Sequence, residues 1–525
     1  MNKENKPNNF CQAYCAHLLC LILCLGACLR IYNLGSHNFW YDEVMSFYYL
    51  SQTKLSDFIF FKQDQLYSLF LHLWSLFFGK SEFALRSLST VFGVFSIPLI
   101  YKIGRLFFDR RVGLAGALIL AISPIHIWYS QEARGYTLST FLTMAMVYFL
   151  FLAAKKNKLC LWIGFVLSSS AALYTNYFCF YVLIATGALF FLKNYRHLLW
   201  RWIASMGFIF VAFLPLVPVF VKRIAEIRDV FWIPKPPLIL IAVTFRNFNA
   251  GYNATPVVYF FTSLIFSSLF ILGIYFCWKE KKHELITLCF LLFIPIIFTF
   301  LVSQITPVYL DRQLMLFSPF YYIIIAVGLI SLRKKAIKIA VYCSITLLLA
   351  FCLNNYYALR MPMPLGHHIG VYLKKPVKPA ADYISKGFMQ GDVIGYSGPS
   401  GHSLFYYLWD KIINEKIDVY SFIIKSKLEP YWRRRDGVCF GPNLITKHIV
   451  ILDDEQDPYK KLEEYDFKRL WLISSTYLRD GRLEQNAQGV RDWMQDHYAV
   501  LDRKEFDGMF IDLYGSNKLA DSLPK

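Results

Sequence analysis

The sequence predicts a polytopic α-helical membrane protein with a soluble α/β domain at its C-terminal end. Three observations predict it. Hydrophobic residues make up 56% of the 525 and charged residues only 17%, against about 45–50% and about 25% in a soluble domain. Apolar runs near the ~20 residues that a bilayer requires recur through residues 1–355. From residue 356 onward the composition becomes ordinary, and helical and strand periodicities alternate. The same figures exclude disorder, collagen and a small disulfide scaffold.

About eleven spans are expected, near 14–31, 83–104, 112–130, 136–154, 159–176, 178–192, 202–221, 257–278, 284–302, 313–332 and 336–353. The first, behind Lys3 and Lys6, reads as an uncleaved span rather than a removed signal, and Arg30 as its interfacial end. The net charge of +19 is not read as a nucleic-acid footprint, because the cations fall between apolar runs on alternate sides. One side collects Arg105, Arg110 and Arg111, then Lys155, Lys156 and Lys158. It also collects Lys193, Arg196 and Arg201, then Lys279, Lys281 and Lys282, and finally Arg333, Lys334, Lys335 and Lys338. That side is expected to be cytoplasmic, with the N-terminus. An odd number of spans then places the C-terminal domain outside. The expected organisation is a transmembrane domain, 1–355, with a first external loop at 32–82, and an external (periplasmic) domain, 356–525.

In that domain the patterns predict a helix at Ala380–Met389 and strands at Asp392–Tyr396, His448–Leu452 and Arg469–Ile473. A helix at Glu484–His497 and a strand at Phe510–Tyr514 follow. Gly395-Tyr396-Ser397-Gly398-Pro399-Ser400-Gly401 lacks the lysine and spacing of a phosphate-binding loop and reads as a turn. Cys11, Cys15, Cys20, Cys24 and Cys28 recur at helical spacing in the first span and read as small buried residues.

The acids and selected arginines of the outer side mark where chemistry belongs. The first loop carries Phe39-Trp40-Tyr41-Asp42-Glu43-Val44. Two readings stand for the acidic pair. One is a general base at the lipid–water boundary. The other is a helix cap, with Asp42 as N-cap and Glu43 in the first turn of an amphipathic helix over Val44–Phe61. Glu132 and Arg134 open the fourth span. They are either a solvated pair or a carboxylate for a hydroxyl-bearing substrate with an arginine for phosphate. Arg86, a turn inside the second span, either snorkels outward or holds an anionic head group. Asp311-Arg312 enters the tenth span from the outer end, against the positive-inside bias, which raises its functional weight. The histidines show no metal-ligand spacing, and no nucleotide or hydrolase motif stands in a convincing context.

The runs Ser81-Glu82-Phe83-Ala84-Leu85-Arg86, Phe92-Gly93-Val94, Gly104-Arg105-Leu106-Phe107 and Val112-Gly113-Leu114 add a further signal. With Trp40-Tyr41-Asp42-Glu43 and Ser123-Pro124-Ile125-His126-Ile127-Trp128-Tyr129-Ser130-Gln131-Glu132-Ala133-Arg134, they resemble the integral-membrane C-type glycosyltransferases. The resemblance is to the bacterial family 39-like proteins, which are similar to protein O-mannosyltransferases and lipid A aminoarabinose transferases. It is dense over 30–155 and looser to 335. It implies transfer of a sugar from a polyprenyl-phosphate donor to a protein, lipid or glycan acceptor; a monophosphate carrier does not demand a divalent metal, so no cofactor or metal is expected. It assigns the base to Asp42 with Glu43 beside it, and second-loop roles to Gln131, Glu132 and Arg134. It assigns donor phosphate binding to Arg312. Family members carry His-Pro-Pro-Leu-Tyr-Tyr where this chain has Gln63-Asp64-Gln65-Leu66-Tyr67-Ser68, so Asp64 keeps a role on an altered backbone. The competing reading is a transporter or flippase of a lipid-linked glycan, whose marks are mid-membrane charges, broken helices and inverted repeats.

Overall fold

A computed structural model describes residues 9–52, 64–190, 195–229, 233–363, 371, 377–397, 403–404, 406–408, 412, 419–424, 448–452, 467–475, 485–506 and 509–515. The chain forms two compact units. The first comprises Met1–Gly35, Lys54–Ala225 and Ile233–Gly370; the second comprises Ser36–Thr53, Glu226–Trp232 and Val371–Lys525.

The first unit is helical. In chain order it contains α1 (Asn9–Ile31), then α3 (Gln65–Phe78), α4 (Glu82–Phe107), α5 (Arg110–Ile122), α6 (Pro124–Ser130), α7 (Tyr136–Lys156), α8 (Leu159–Thr175) and α9 (Cys179–Leu189). It continues with α10 (Leu199–Phe213), α11 (Val217–Asp229, which belongs to the second unit from Glu226 onward), α12 (Ile239–Ala250), α13 (Pro256–Glu280), α14 (Lys282–Ser303), α15 (Asp311–Leu314), α16 (Ser318–Ser331) and α17 (Lys335–Tyr357). Among the described residues eight helices are long and apolar enough to cross a membrane, or nine if the bent pair α5–α6 is one span. Each of the eleven expected spans carries a helix; α8 and α9, at the expected 159–176 and 178–192, are the shorter apolar ones. The expected span at 112–130 is bent by 59°. The first-span cysteines are revised, because Cys15 is buried but Cys20, Cys24 and Cys28 are exposed.

Helix α16 is buried along most of its length and packs on α13 and α5. Small residues allow that approach. A Cβ at Gly328 would lie 2.0 Å from the Leu269 carbonyl oxygen, so α13 and α16 touch backbone to backbone. Helix α7 packs against α4 and α8.

The second unit contains α2 (Tyr41–Gln52) and the α/β fold. Helix α18 spans Val377–Gly387 and α19 spans Gln485–His497. The strands are β1 (Val393–Ser397), β2 (Val419–Ile424), β3 (His448–Leu452), β4 (Arg469–Ser475), β5 (Ala499–Glu505) and β6 (Met509–Gly515). One sheet runs β3-β2-β1-β4-β6-β5. The first four strands are parallel, and β6 pairs antiparallel with both β4 and β5. Val393, Leu470, Leu472 and Tyr514 from the sheet meet Val490 and Met494 of α19 in the core. Two strands were absent from the sequence expectation, β2 and β5. The second is an edge strand whose Asp502, Arg503, Lys504 and Glu505 hide its periodicity, and such charges discourage pairing with another chain. Buried Asp512 accepts from Arg491 at 2.5 Å and from Arg503 at 2.5 Å. Of the glycine-rich segment, 398–401 lies outside the described residues.

Candidate active site

The segment between α5 and α7 is built around an interruption. Pro124 has no N–H and disfavours a helical residue before it, so α5 ends at Ile122 and the chain turns into α6. The break frees the carbonyls of Leu120 and Ala121, and Arg30 supplies their donors. Its Nη2 donates to Leu120 O at 3.0 Å, and its Nη1 donates to Ala121 O at 2.8 Å and Gly26 O at 2.9 Å. The guanidinium also reaches His126 Nδ1 at 3.0 Å and Ser130 Oγ at 3.2 Å. Arg30 is 0% exposed, not interfacial as its sequence position suggested. A ring of protein acceptors replaces its hydration. Helix α4 approaches closely here, because a Cβ at Gly93 would lie 2.3 Å from Ser130 Oγ.

Gln131 braces the same region. Its Nε2 donates to the carbonyls of Arg30 at 2.9 Å and Tyr32 at 2.7 Å, while its Oε1 accepts from the Tyr356 hydroxyl at 2.8 Å. Both amide donors are thus used inside the protein. Glu132 is buried, and its Oε1 accepts from Trp128 Nε1 at 2.7 Å. Arg86 is 1% exposed and donates to Leu34 O at 3.0 Å, so it turns inward rather than snorkelling.

Arg134 and Asp64 form an ion pair, Nη2 to Oδ2, at 3.2 Å, with side chains 13% and 18% exposed. Asp64 precedes α3 at φ +53°, ψ +40°, in the left-handed region. Aspartate tolerates that conformation, whereas proline, locked near φ ≈ −65°, does not. This explains why a proline-bearing pattern is absent here.

Arg312 lies in the first turn of α15, beside Asp311. Asp311 accepts from Thr244 Oγ1 at 2.7 Å and Asn247 Nδ2 at 2.6 Å, which ties α12 to α15. Arg246, between those two donors in α12, stacks on the Tyr259 ring at 4.4 Å from its centroid. The Nε and Nη2 of Arg246 are shielded from solvent and meet no hydrogen-bond acceptor among the described residues. Nearby, the Tyr252 hydroxyl lies 2.9 Å from that of Tyr129. Burial pushes the Tyr252 phenol well up, with Asp311 adding to the shift and Arg312 opposing it. Tyr252 therefore remains protonated at neutral pH.

In the second unit, helix α2 begins at Tyr41, so Asp42 lies inside the first turn rather than at the N-cap. Glu43 performs the capping instead. Fully buried, its Oε2 accepts from the Trp40 N–H at 3.3 Å, the reach-back half of a capping box. Asp42 is half-buried. The expected helix at 44–61 is seen to residue 52, and 53–61 lies outside the described residues.

The lipid-embedded helices and the α/β unit have counterparts among solved structures. ArnT from Cupriavidus metallidurans in the apo state matches with a TM-score of 0.61 at 10% identity, over 95% of this chain and 98% of that one. The same protein bound to undecaprenyl phosphate matches with a TM-score of 0.61 at 11% identity, over 94% and 97%. The Archaeoglobus fulgidus oligosaccharyltransferase in the apo form matches with a TM-score of 0.50 at 12% identity, over 75% and 64%. A family model described as dolichyl-phosphate-mannose-protein mannosyltransferase matches residues 65–221. This chain has the C-type glycosyltransferase fold. No curated protein matches it in sequence.

The family match covers the part of this C-type glycosyltransferase fold that holds Arg86, Gln131, Glu132 and Arg134, while Asp42, Glu43, Asp64 and Arg312 lie outside it. Sequence reasoning misplaced Arg30 at the interface and passed over Arg246. Arg30 was hidden by its place at the end of an apolar run. Arg246 had a usable signal, a cation in the segment 222–256 that the charge pattern assigns to the side poor in cations. Among the described residues no group of three or more His, Cys, Asp or Glu side chains gathers as metal ligands do.

Proposed function

We propose that this protein is a membrane glycosyltransferase. It takes a sugar from a polyprenyl-phosphate donor on the outer face of the cytoplasmic membrane and passes it to an acceptor hydroxyl or amine. The observation that carries this reading is the match of nearly the whole chain to a fold seen with undecaprenyl phosphate bound. In this reading Asp42 takes the acceptor proton as it attacks the anomeric carbon, a service of about 10²–10⁴ in rate. Attack opposite the leaving phosphate inverts that carbon. Arg312 and Arg246, brought to one junction by the hydrogen bonds of Asp311, stabilise the charge that grows on the phosphate. Arg134, oriented by Asp64, and the buried Glu132 shape the sugar side. Arg86 and Gln131 hold backbone carbonyls and support the site from behind. The N-terminus is cytoplasmic and residues 356–525 are external.

The transporter reading gains nothing from the bent span and buried charge that do occur. The bend at Pro124 and the Arg30 guanidinium satisfy each other. The test is transfer of radiolabelled hexose from undecaprenyl phosphate in membranes, comparing wild type with Asp42→Asn. Loss of transfer in a folded variant supports the base. Normal transfer moves the role to another carboxylate, and no transfer by either protein counts against the donor.

A further inference from the structure

The α/β unit contains the acidic segment, which suggests what that unit is for. Residues 36–53 fold with residues 371–525 as one compact body. Phe39, one residue before the Trp40 whose N–H is capped by Glu43, is 1% exposed. The backbone N–H of Phe39 donates to the Tyr407 hydroxyl at 2.9 Å. Its ring stands edge-on to Tyr406, with centroids 5.0 Å apart and planes at 81°. Tyr406 and Tyr407 pack against each other at 4.8 Å, and Lys378 of α18 sits over the Tyr407 ring at 5.5 Å.

The sequence explains why these two tyrosines are presented. They lie after β1, where Leu404, Leu408 and Ile412 fall four residues apart and are buried. Their neighbours Tyr406 and Tyr407 fall on the flank and stay half-buried. A helix start fixed at Phe39 fixes the direction of the first turn, and with it the carboxylates at Asp42 and Glu43.

We propose that Tyr407, supported by Tyr406, is a positioning residue for the acidic pair, so that the C-terminal domain sets the aim of the base. The inference rests on the reading of Asp42 as that base. Tyr407 touches no substrate in this account; it acts through the Phe39 backbone.

The test uses the full chain in nanodiscs and undecaprenyl-phosphate hexose as donor. Tyr407→Phe keeps the ring packing and removes the acceptor. The Phe39 amide is expected to lose its protection from hydrogen exchange while the amides of β4 keep theirs. The kcat is expected to fall roughly two- to twelvefold, the range one net hydrogen bond spans, with donor KM unchanged. Tyr383→Phe removes another phenol of the same domain, one bonded to Asp502, and is expected to leave kcat unaltered. Retained Phe39 protection overturns the inference. So does lost protection with kcat intact while Asp42→Asn is inactive, and that outcome leaves the proposed function standing. Normal transfer by Asp42→Asn removes the base and this inference together.

Discussion

Replacing Arg30 by alanine tests the account of the bent span most directly. The side chain is fully buried and donates to the carbonyls of Gly26, Leu120 and Ala121, as well as to His126 and Ser130. Gly26 O lies inside α1, where the helix already provides a backbone donor. Leu120 O receives only a long 3.4 Å bond from Ser123 N, and Pro124 brings no N–H to the break. Two buried acceptors are therefore stranded at about 1–3 kcal/mol each, for a total of about 2–6 kcal/mol. A domain's net stability is about 5–15 kcal/mol, so the loss is large. Arg30→Lys keeps a charge but not the fork that reaches both carbonyls, and should fall between. Equilibrium unfolding in mixed micelles, followed by tryptophan fluorescence, measures the difference. If Arg30→Ala unfolds within about 1 kcal/mol of wild type, the argument that the guanidinium holds the break is wrong.

Three other expectations concern separate parts of the chain. The Asp64–Arg134 pair is partly exposed, so a double-mutant cycle with Asp64→Asn and Arg134→Gln should return a coupling of about 1–2 kcal/mol; a value near zero refutes the pairing. Arg312→Ala should lower kcat by about a hundredfold or more if the guanidinium stabilises the departing phosphate, and single-turnover transfer separates that from slower release. Burial pushes the Tyr514 phenol up to about 12. A raised folded value means the unfolded chain loses its proton first. The contribution is whole below pH ~10 and is lost as pH climbs from ~10 through ~12, by up to about 2–3 kcal/mol. Tyr514→Phe should remove that slope, and unchanged alkaline curves would refute the shift.

What could be read without coordinates follows from the solvent. Lipid offers backbone groups no partner, so spanning segments must be long apolar helices, and their positions survive in the sequence almost intact. The break at Pro124 was printed in the residue itself, although its bend was not foreseen. The tail yielded β1, β3, β4 and β6 because their apolar runs are local features. It withheld β2, whose apolar run Val419–Ile424 the reading passed over, and β5, whose charges suit an edge.

The sequence by itself determined the membrane class and the α/β character of the tail, and it marked the acids and arginines as candidates for a site. It could not divide those residues by role, because the division depends on contacts distant along the chain. Arg30 reaches residues of the α5–α6 break about a hundred positions away, and Gln131 spends its amide on backbone from α1. Glu43 caps a helix that Asp42 was a candidate to cap. Phe39 is held by Tyr407, which belongs to the C-terminal part of the chain. Periodicity and composition are properties of neighbours in sequence, whereas a buried polar group is defined by the partner that replaces its water, and only the folded chain brings that partner to it.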